Sequence, residues 1–527
     1  MIGPQTATLR PWIAFACAAV WVVLIRVPLI VNASNHLDSD LAVDGITLLE
    51  ATQGHLRWHY PGTPFTGIGA VLLSLPPALI WGANSRTLVS GGMLAHLGLL
   101  AAGFWLAWRT AGPGVAAWSL VPLTFVSTGV LWLSARITGG HLVAAAWHAG
   151  AFALLAGLLM NGGRLRAVTL GLWCGFGLYL DAMLSITVIG LIAAAGLNGI
   201  FAKTPRQSIV AALFFTLGFF GGVWPRPLGV WIDPYDAYRD QFALSFQPAL
   251  LNNHARILLK ECLPRLIAGY TLPGLESEPD PTTLSGSTST RRRTPFSLLS
   301  AAVVVITLTV AIASVFALAS TAFHGPSRTL RVVLGGLLLS ATATFAGFLV
   351  NRNIFNSDNY RYLVGLLAPL SLGFGFFAEG CYRKGLRWRV GMVASVVLFA
   401  GLMTADTFRW YAQFGWIERS GLPVVKPMDD PTFDWLKAHP EVSWIEAGYW
   451  DVYRLAFLTG GKVRGAPFPT YPNRFPEWRR TSDPVILVRL NPEGVTFRNQ
   501  AIRDGYRSVQ RARGVTILRR VPAKAAR

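Results

Sequence analysis

The chain has 527 residues, of which 14% are charged, compared with roughly 25% in a soluble globular protein. Basic residues outnumber acidic ones by 46 to 26, but they form no long run and the sequence carries no nucleic-acid-binding motif, which argues against a nucleic-acid partner. The first 405 residues contain 40 of the charges and the last 122 contain 32. This distribution excludes an ordinary soluble protein. It predicts a membrane body, residues 1–405, followed by a soluble domain, residues 406–527.

Apolar segments long enough to cross about 30 Å of hydrocarbon recur along the body. They lie near residues 11–31, 87–108, 114–133, 141–160, 165–181, 183–202, 208–224, 297–320, 328–350, 361–378 and 388–405. We therefore predict an all-α polytopic membrane protein with about eleven transmembrane helices. A further apolar segment, 66–82, is short and contains the helix-interrupting pair Pro76-Pro77. We expect it to lie at the outer membrane interface without crossing.

The side of each loop follows from its basic residues, because Lys and Arg accumulate in short cytoplasmic loops. With the N-terminus inside and 66–82 outside, the inner loops carry Arg109, Arg164, Arg166, Lys203, Arg206, Arg328, Arg331, Arg383, Lys384, Arg387 and Arg389. The discordant residues are Arg291 to Arg293, next to a Pro/Ser/Thr-rich stretch at 275–295 that is typical of a flexible linker. This topology places the loops 32–86 and 225–296, together with the C-terminal domain, on the outer side.

Carboxylates are scarce in the body and cluster at one place. Only 14 Asp and Glu precede residue 406, and four of them, Asp38, Asp40, Asp44 and Glu50, fall within 13 residues just after the first span. The local sequence predicts a short helix over about 41–53, with Ser39 or Asp40 as N-cap. Asp40 and Asp44 are four residues apart and would face the same way. Two such carboxylates could deprotonate a hydroxyl, bind a divalent cation, or do both. The alternative is that Asp40 only caps the helix.

The first loop resembles that of bacterial GT-C membrane glycosyltransferases, polytopic relatives of the protein O-mannosyltransferases (glycosyltransferase family 39). The resemblance rests on Ser39-Asp40-Leu41-Ala42 and on the residues Gly45, Gly54, Tyr60, Gly62 and Gly67. The segment NSDNYRYLVGLLAP, with Arg361 and Tyr362, resembles the entry to a late span of these proteins. In the tail, Tyr449, Trp450, Tyr453, Arg454, Asn473 and Arg474 resemble the small periplasmic domain of some members.

The resemblance implies an inverting transferase that uses a polyprenyl-phosphate sugar donor and a hydroxyl acceptor on a lipid, glycan or protein. It implies a multi-pass protein of the bacterial inner membrane. It assigns the catalytic position to Asp40; because Leu41 replaces a second acidic residue, either Asp38 or Asp44 supplies a second carboxylate, or no residue does. The predicted catalytic residues are thus Asp40 and Asp44. The predicted substrate-binding residues are Asp38, His55, Tyr60, Arg136, His141, Asp181, Arg361, Tyr362, Tyr449 and Arg474.

Several basic residues in this set, Arg136, His141 and Arg361, together with Arg352, lie at outer ends of predicted spans. They could clamp a donor phosphate, or they could only extend toward interfacial water. Asp181 could be an acceptor-side carboxylate or a turn cap. The C-terminal residues predict a small α/β domain that shapes the site from above. The rival function is a transporter or flippase of lipid-linked sugars, but such a protein should show mid-bilayer carboxylates and internal repeats.

Overall fold

The computed structural model describes residues 4–136, 140–200, 205–240, 243–272, 297–478, 484–489, 492–512 and 514–520. The predicted linker at 275–295, including Arg291 to Arg293, lies outside these residues.

The body is built from helices joined mostly by short connections. Their bounds are Pro4–Leu24 (α1), Val27–Val31 (α2), Ser39–Thr52 (α3), Gly69–Trp81 (α4), Ser85–Ala111 (α5), Pro113–Thr124 (α6), Thr128–Ala135 (α7), His141–Asn161 (α8), Arg164–Leu180 (α9), Ser185–Ile200 (α10), Pro205–Val223 (α11), Pro225–Ile232 (α12), Pro248–Ile257 (α13), Leu263–Ala268 (α14), Leu298–His324 (α15), Arg328–Val350 (α16), Leu367–Arg383 (α17) and Leu386–Phe414 (α18). Short 3₁₀ segments at Ala33–Asn35, Ala182–Leu184 and Ser357–Leu366, and a π turn at Leu258–Cys262, link some of them.

Eight helical stretches of the described chain are long and apolar enough to cross a membrane, or nine if the bent pair α6–α7 forms one span. The chain is therefore a multi-pass membrane protein, with fewer long spans than the eleven predicted. The predicted spans 165–181 and 183–202 correspond to α9 and α10, helices of 17 and 16 residues. The interfacial segment 66–82 forms α4, whose 13 residues reach only about 20 Å at 1.5 Å per residue.

Helices of the body approach closely where glycine replaces a larger side chain. A Cβ on Gly171 of α9 would lie 2.1 Å from the Phe215 carbonyl oxygen of α11, and one on Gly218 would lie 2.2 Å from the Val168 oxygen. Only a residue without a side chain allows such contact between two backbones. The α9–α11 pair is consequently packed backbone against backbone.

One arginine is buried in the first membrane span. Arg26 is 1% exposed; its Nε donates to Ser134 Oγ at 2.8 Å, and its Nη2 lies 2.9 Å from His96 Nδ1. These bonds join the start of α2 to α5 and α7. They also give the Arg26 charge partners, since an unpaired charge in the membrane interior would be costly. They hold α7, and with it the neighbouring Arg136, against the first span.

The tail folds as the predicted α/β domain. Its elements are Pro431–Ala438 (α19), Trp444–Ala447 (β1), Tyr449–Leu458 (α20), Arg464–Pro467 (β2), Val485–Arg489 (β3), Pro492–Arg503 (α21), Tyr506–Ala512 (β4) and Val515–Arg520 (β5). The sheet order is β2-β1-β3-β5-β4, with β1 parallel to β2 and β3, and β5 antiparallel to β3 and β4. Helix α18 continues through residue 405 to Phe414, so the domain boundary at 405 stays a prediction.

The tail contacts the first loop of the body directly. Asn32 Nδ2 donates to the Val424 carbonyl at 2.8 Å, and the Lys426 amide donates to Asn32 Oδ1 at 2.8 Å. Asn35 Nδ2 donates to the Lys426 carbonyl at 2.8 Å. Because Asn32 ends the first span, these bonds place the tail and the first loop on the same side of the membrane.

Candidate active site

The carboxylate cluster lies at the start of α3, as predicted, but its helix cap is a different residue. Asp38 has an extended backbone, and its side chain accepts a hydrogen bond from the Leu41 amide at 2.8 Å. Asp38 is therefore the N-cap, and the prediction of Ser39 or Asp40 was wrong. An aspartate at this position satisfies a backbone donor that the first turn leaves open. Because Asp38 is the N-cap, the Asp40 side chain is available for other contacts.

Asp40 forms its side-chain hydrogen bond with the C-terminal domain. The Tyr449 hydroxyl, at the start of α20, donates to Asp40 Oδ1 at 2.5 Å. Tyr60 supports the same turn, since its hydroxyl donates to the Asp40 carbonyl at 2.9 Å. Burial and the nearby negative charge of Asp40 raise the pKa of Tyr449 well above its usual value, which keeps this phenol protonated as a donor. The other carboxylate oxygen, Oδ2, makes no hydrogen bond within the described residues.

Arg474 is hydrogen-bonded to the hydroxyl group of Tyr449. Its Nε donates to the Tyr449 hydroxyl at 3.1 Å and its Nη1 donates to the Pro61 carbonyl at 3.2 Å. Its guanidinium carbon lies 4.0 Å from the ring centroid of Tyr238 and 5.1 Å from that of Tyr60. Cation–aromatic contacts of this kind are favourable when the site is desolvated, and Arg474 is 7% exposed. One arginine thus joins the tail to both long loops of the body.

Asp44 lies one turn beyond Asp40 on α3 and is 2% exposed. Its Oδ2 is buried without a hydrogen-bond partner. Burial raises the pKa of Asp44 well above the usual range and the charge of Asp40 raises it further, while Arg474 acts in the opposite direction. The protonated form of the Asp44 carboxyl group is thus favoured. This group lies one helical turn from Asp40, which is partly exposed.

Arg136, at the end of α7, is paired with Asp38. Its Nη2 donates to Asp38 Oδ2, and its guanidinium carbon lies 5.9 Å from the Trp132 ring centroid. The Asp38 side chain is fully buried in this pair, whereas the Arg136 side chain is 18% exposed. The carboxylate of Asp38, which was predicted to bind substrate, is therefore already bonded to the Leu41 amide and to Arg136. Arg136 has further N–H donors that can reach a ligand.

Arg361, Tyr362, His141 and Asp181 form a second group. The Arg361 guanidinium carbon lies 5.4 Å from the Tyr362 ring centroid, and the His141 ring packs edge-on against Tyr362 at 5.8 Å. His141 Nδ1 is 3.8 Å from Asp181 Oδ2. Arg361 Nε and His141 Nδ1 have no hydrogen-bond partner among the described residues.

Asp181 also has the turn-capping role weighed from sequence, because its Oδ1 accepts from the Met183 amide at 2.8 Å. It is 4% exposed, and its backbone bridges to Thr66 of the first loop. Its second oxygen faces His141. The residue therefore joins the first loop to this basic group.

Asp40 is close enough to three of these basic side chains to interact with them electrostatically. It is among the charges that act on Arg136, Arg361 and Arg474. His55, by contrast, is exposed beyond the end of α3, and Arg352 is exposed on its loop. The structure thus groups nine of the ten predicted binding residues near the α3 N-terminus and leaves His55 outside.

A metal-binding role finds little support in the donor set. The described residues contain no group of three or more His, Cys, Asp or Glu side chains placed to hold a metal ion. Of the two carboxylates nearest Asp40, Asp38 is bonded to Arg136 and Asp44 is nearly fully buried. We therefore assign no chemical step to a divalent cation.

Tyr238 is a member of the cluster that the sequence did not indicate. It lies in the loop 225–296, where DPYDAYRD contains several tyrosines and carboxylates, and its ring lies against the Arg474 guanidinium. Its contact with Arg474 spans 236 residues. A local aromatic-acidic composition was the only available signal, and it does not identify the distant partner.

No protein-family model and no curated protein matches this sequence, but solved structures do. ArnT from Cupriavidus metallidurans bound to undecaprenyl phosphate has 11% identity and a TM-score of 0.59, covering 96% of this chain and 98% of that one. The same protein in the apo state gives a TM-score of 0.60. The archaeal oligosaccharyltransferase AglB from Archaeoglobus fulgidus, in complex with an inhibitory peptide and a dolichol-phosphate, has 12% identity and a TM-score of 0.52, covering 88% of this chain and 64% of that one.

At such identities the similarity shows the fold. It extends over nearly the whole chain, membrane body and tail together. The predicted fold, a polytopic helical membrane body with a small C-terminal α/β domain, is confirmed.

Proposed function

We propose that this protein is an inverting glycosyltransferase that moves a sugar from a polyprenyl-phosphate donor to a hydroxyl group of a lipid, glycan or protein. The reaction would take place at the outer face of a bacterial inner membrane. The observation that carries the proposal is the environment of Asp40: one carboxylate oxygen is bonded to Tyr449, the other makes no hydrogen bond within the described residues, and its charge acts on three arginines. The domains 1–405 and 406–527 would contribute the two walls of this site.

In the proposed reaction Asp40 is the general base. Its Oδ2 accepts the proton of the acceptor hydroxyl as that oxygen attacks the anomeric carbon of the donor sugar. The bond between the anomeric carbon and the phosphate oxygen breaks, and its electron pair leaves with the polyprenyl phosphate. A single displacement of this kind inverts the anomeric configuration. Tyr449 fixes the direction of the carboxylate, and Tyr60 holds the Asp40 backbone through its carbonyl; this matters because a base must lie within hydrogen-bond reach of the proton it removes.

The basic residues supply the charge for the leaving phosphate. Arg361 Nε is a buried donor and His141 Nδ1 a buried ring nitrogen, and neither makes a hydrogen bond among the described residues; Arg136 uses only part of its guanidinium for Asp38. A guanidinium can bind two phosphate oxygens in a fork and stays charged at any relevant pH. Preorganised cations stabilise negative charge that develops in the transition state. Arg361 and Arg136 therefore face the donor side in this proposal.

The fold comparisons support a lipid-phosphate donor. The similar structure of ArnT contains undecaprenyl phosphate, and that of AglB contains a dolichol-phosphate. Both ligands combine a long apolar tail with a phosphate, which suits a basic site at the outer ends of membrane helices. The acceptor could be a lipid, a glycan or a protein, and the geometry around Asp40 requires only that it present a hydroxyl.

The test is incubation of the purified protein with a panel of radiolabelled polyprenyl-phosphate sugars and a membrane extract. We expect label to move from one donor to an extract component, with release of the polyprenyl phosphate. A flippase would instead move labelled donor across the bilayer of sealed proteoliposomes without transferring the sugar. Translocation without transfer for every donor would contradict the proposal.

A further inference from the structure

An open cavity with a mixed polar and apolar lining lies between the tail and the first loop, outside the catalytic cluster. Its volume is about 560 Å³. It is lined by Val31, Asn32, Ser34, Asn35, Ala83, Asn84, Ser85, Arg86, Val425, Lys426, Pro427, Met428, Phe433, Phe457, Leu458 and Gly460. None of the residues predicted for catalysis or substrate binding lines it. The proposed transfer reaction therefore does not account for this cavity.

Two positive charges lie in the wall of the cavity without negative partners. Arg86 makes no side-chain hydrogen bond or ion pair within the described residues, and Lys426 Nζ donates only to the Phe414 carbonyl, at 3.3 Å. The described lining contains no Asp or Glu. Unpaired cations that converge on a concave polar surface attract an anion. The cavity thus has the electrostatic character of an anion site.

Uncharged donors complete the lining. The hydroxyl groups of Ser34 and Ser85 are not used in the hydrogen bonds of the described chain, so both can bind a ligand. Asn32, in contrast, is fully engaged with Val424 and Lys426, and it holds the Lys426 backbone at the cavity edge. Hydroxyl groups beside two cations suit a phosphate that carries a polyol. A carboxylate ligand would need fewer donors than the wall provides.

A lipid-facing helix leads directly into the cavity. The C-terminal end of α4 exposes Leu79, Ile80 and Trp81 by 66%, 69% and 70%, and the lining residues 83–86 follow it immediately. Apolar side chains exposed in this way face acyl chains in a membrane protein, and tryptophan is enriched at the interface. A molecule with an apolar tail along α4 would therefore have its headgroup at Arg86.

We propose that this cavity binds the phosphodiester headgroup of an anionic membrane phospholipid, with its acyl chains along α4. The occupied cavity would brace the catalytic helix, because Phe457 both lines the cavity and packs on α3. A Cβ on Gly45 would lie 2.8 Å from the Phe457 ring, so no space separates them. The bound headgroup would join α4, the first loop and the tail on one side of the membrane.

The experiment is a thermal-unfolding titration of the full-length detergent-solubilised protein with dihexanoyl phosphatidylglycerol, dihexanoyl phosphatidylcholine or glycerol 1-phosphate. We expect phosphatidylglycerol to raise the unfolding midpoint saturably, and phosphatidylcholine and glycerol 1-phosphate to have little effect. In the double variant Arg86→Gln/Lys426→Gln the apparent Kd for phosphatidylglycerol should rise on the order of tenfold or more, since each basic residue near an anionic lipid contributes separately.

The control is Arg419→Gln/Lys462→Gln, which removes the same charge from two exposed residues outside the cavity lining. It should bind like wild type, and Arg86→Lys should keep most of the affinity. Unchanged phosphatidylglycerol binding by the cavity variant would overturn the proposal. If glycerol 1-phosphate bound as tightly as phosphatidylglycerol, the proposal that the bound phosphate belongs to a lipid would be wrong. Because Asp40 is untouched in these variants, their lipid affinity is independent of whether the transfer reaction occurs.

Discussion

The Tyr449 hydroxyl donates a 2.5 Å hydrogen bond to Oδ1 of Asp40, which is 409 residues earlier in the chain. The bond joins the soluble domain to the first turn of α3, so the tail is part of the candidate site. Arg474 fixes the same hydroxyl from the other side. This arrangement means that the two parts of the chain would have to be docked for Asp40 to be oriented.

Replacing Tyr449 by Phe should lower kcat/KM for transfer between about 10-fold and 100-fold, as expected for losing a hydrogen bond to a charged group. The ring and its packing would remain, so the thermal midpoint should change little. The matched control is Tyr471→Phe, whose ring stacks on Tyr449 at 5.2 Å without a hydrogen bond to Asp40. Equal activities of the two variants would show that the hydroxyl does not orient the base.

Arg361→Lys should raise the apparent KM for the lipid donor more than the KM for the acceptor. The substitution keeps the charge but loses the planar fork that binds two phosphate oxygens. Arg361→Ala should have a larger effect in the same direction. The control is Arg383→Lys, at the far end of the same membrane span, where the side chain is 75% exposed. If Arg361 only extends toward interfacial water, the donor saturation curve of Arg361→Lys will overlay that of wild type.

Asp44→Asn should stabilise the protein at neutral pH. Burial raises the pKa of Asp44 in the folded state above the value of about 3.9 for an unfolded aspartate. The unfolded chain therefore loses this proton at a lower pH than the folded chain, and folding becomes less favourable as pH rises above about 4. The amide removes that penalty. Melting curves of both proteins should differ at pH 7.5 and converge near pH 4; a difference that stays constant with pH would contradict the account.

Single-cysteine labelling tests whether the first loop and the tail share the outer side. Of the four native cysteines only Cys17 is exposed, and all four would be replaced. In sealed cells a membrane-impermeant reagent should modify Ser34→Cys and Ser420→Cys. It should leave Asn161→Cys, at the C-terminal end of α8, unmodified until the membrane is opened. Modification at position 161 alone would show that the membrane orientation is opposite to the predicted one. A difference between positions 34 and 420 would contradict the observed contact of the tail with the first loop.

The carboxylate cluster and the Arg361–Tyr362 pair could be predicted because their signals are local. Carboxylates are so rare in the body that four within 13 residues stand out, and an arginine at the end of an apolar segment is visible in the sequence. The N-cap was predicted one or two residues too late, because both aspartate and serine favour the N-cap position. Which one caps depends on Arg136 and Tyr449, whose contacts with Asp38 and Asp40 are formed only in the folded protein.

Long-range features could not be predicted from the sequence. The contact of Tyr238 with Arg474 and the cavity at Arg86 and Lys426 each depend on segments hundreds of residues apart. Helix direction is another such feature, because hydropathy detects only apolar composition. The apolar segment 114–133 is continuous in sequence, yet α6 and α7 meet at an angle of 79°.

The most direct measurement is the transfer rate of Asp40→Asn, in nanodiscs, with the donor that the wild-type protein uses. Asparagine keeps the size of the side chain and can still accept from Tyr449, but it cannot remove a proton. We predict a loss of about 10²- to 10⁴-fold with a thermal midpoint close to wild type, while Asp434→Asn, an exposed aspartate of the tail, keeps full activity. Near-wild-type turnover by folded Asp40→Asn would contradict the assignment of Asp40 as the base.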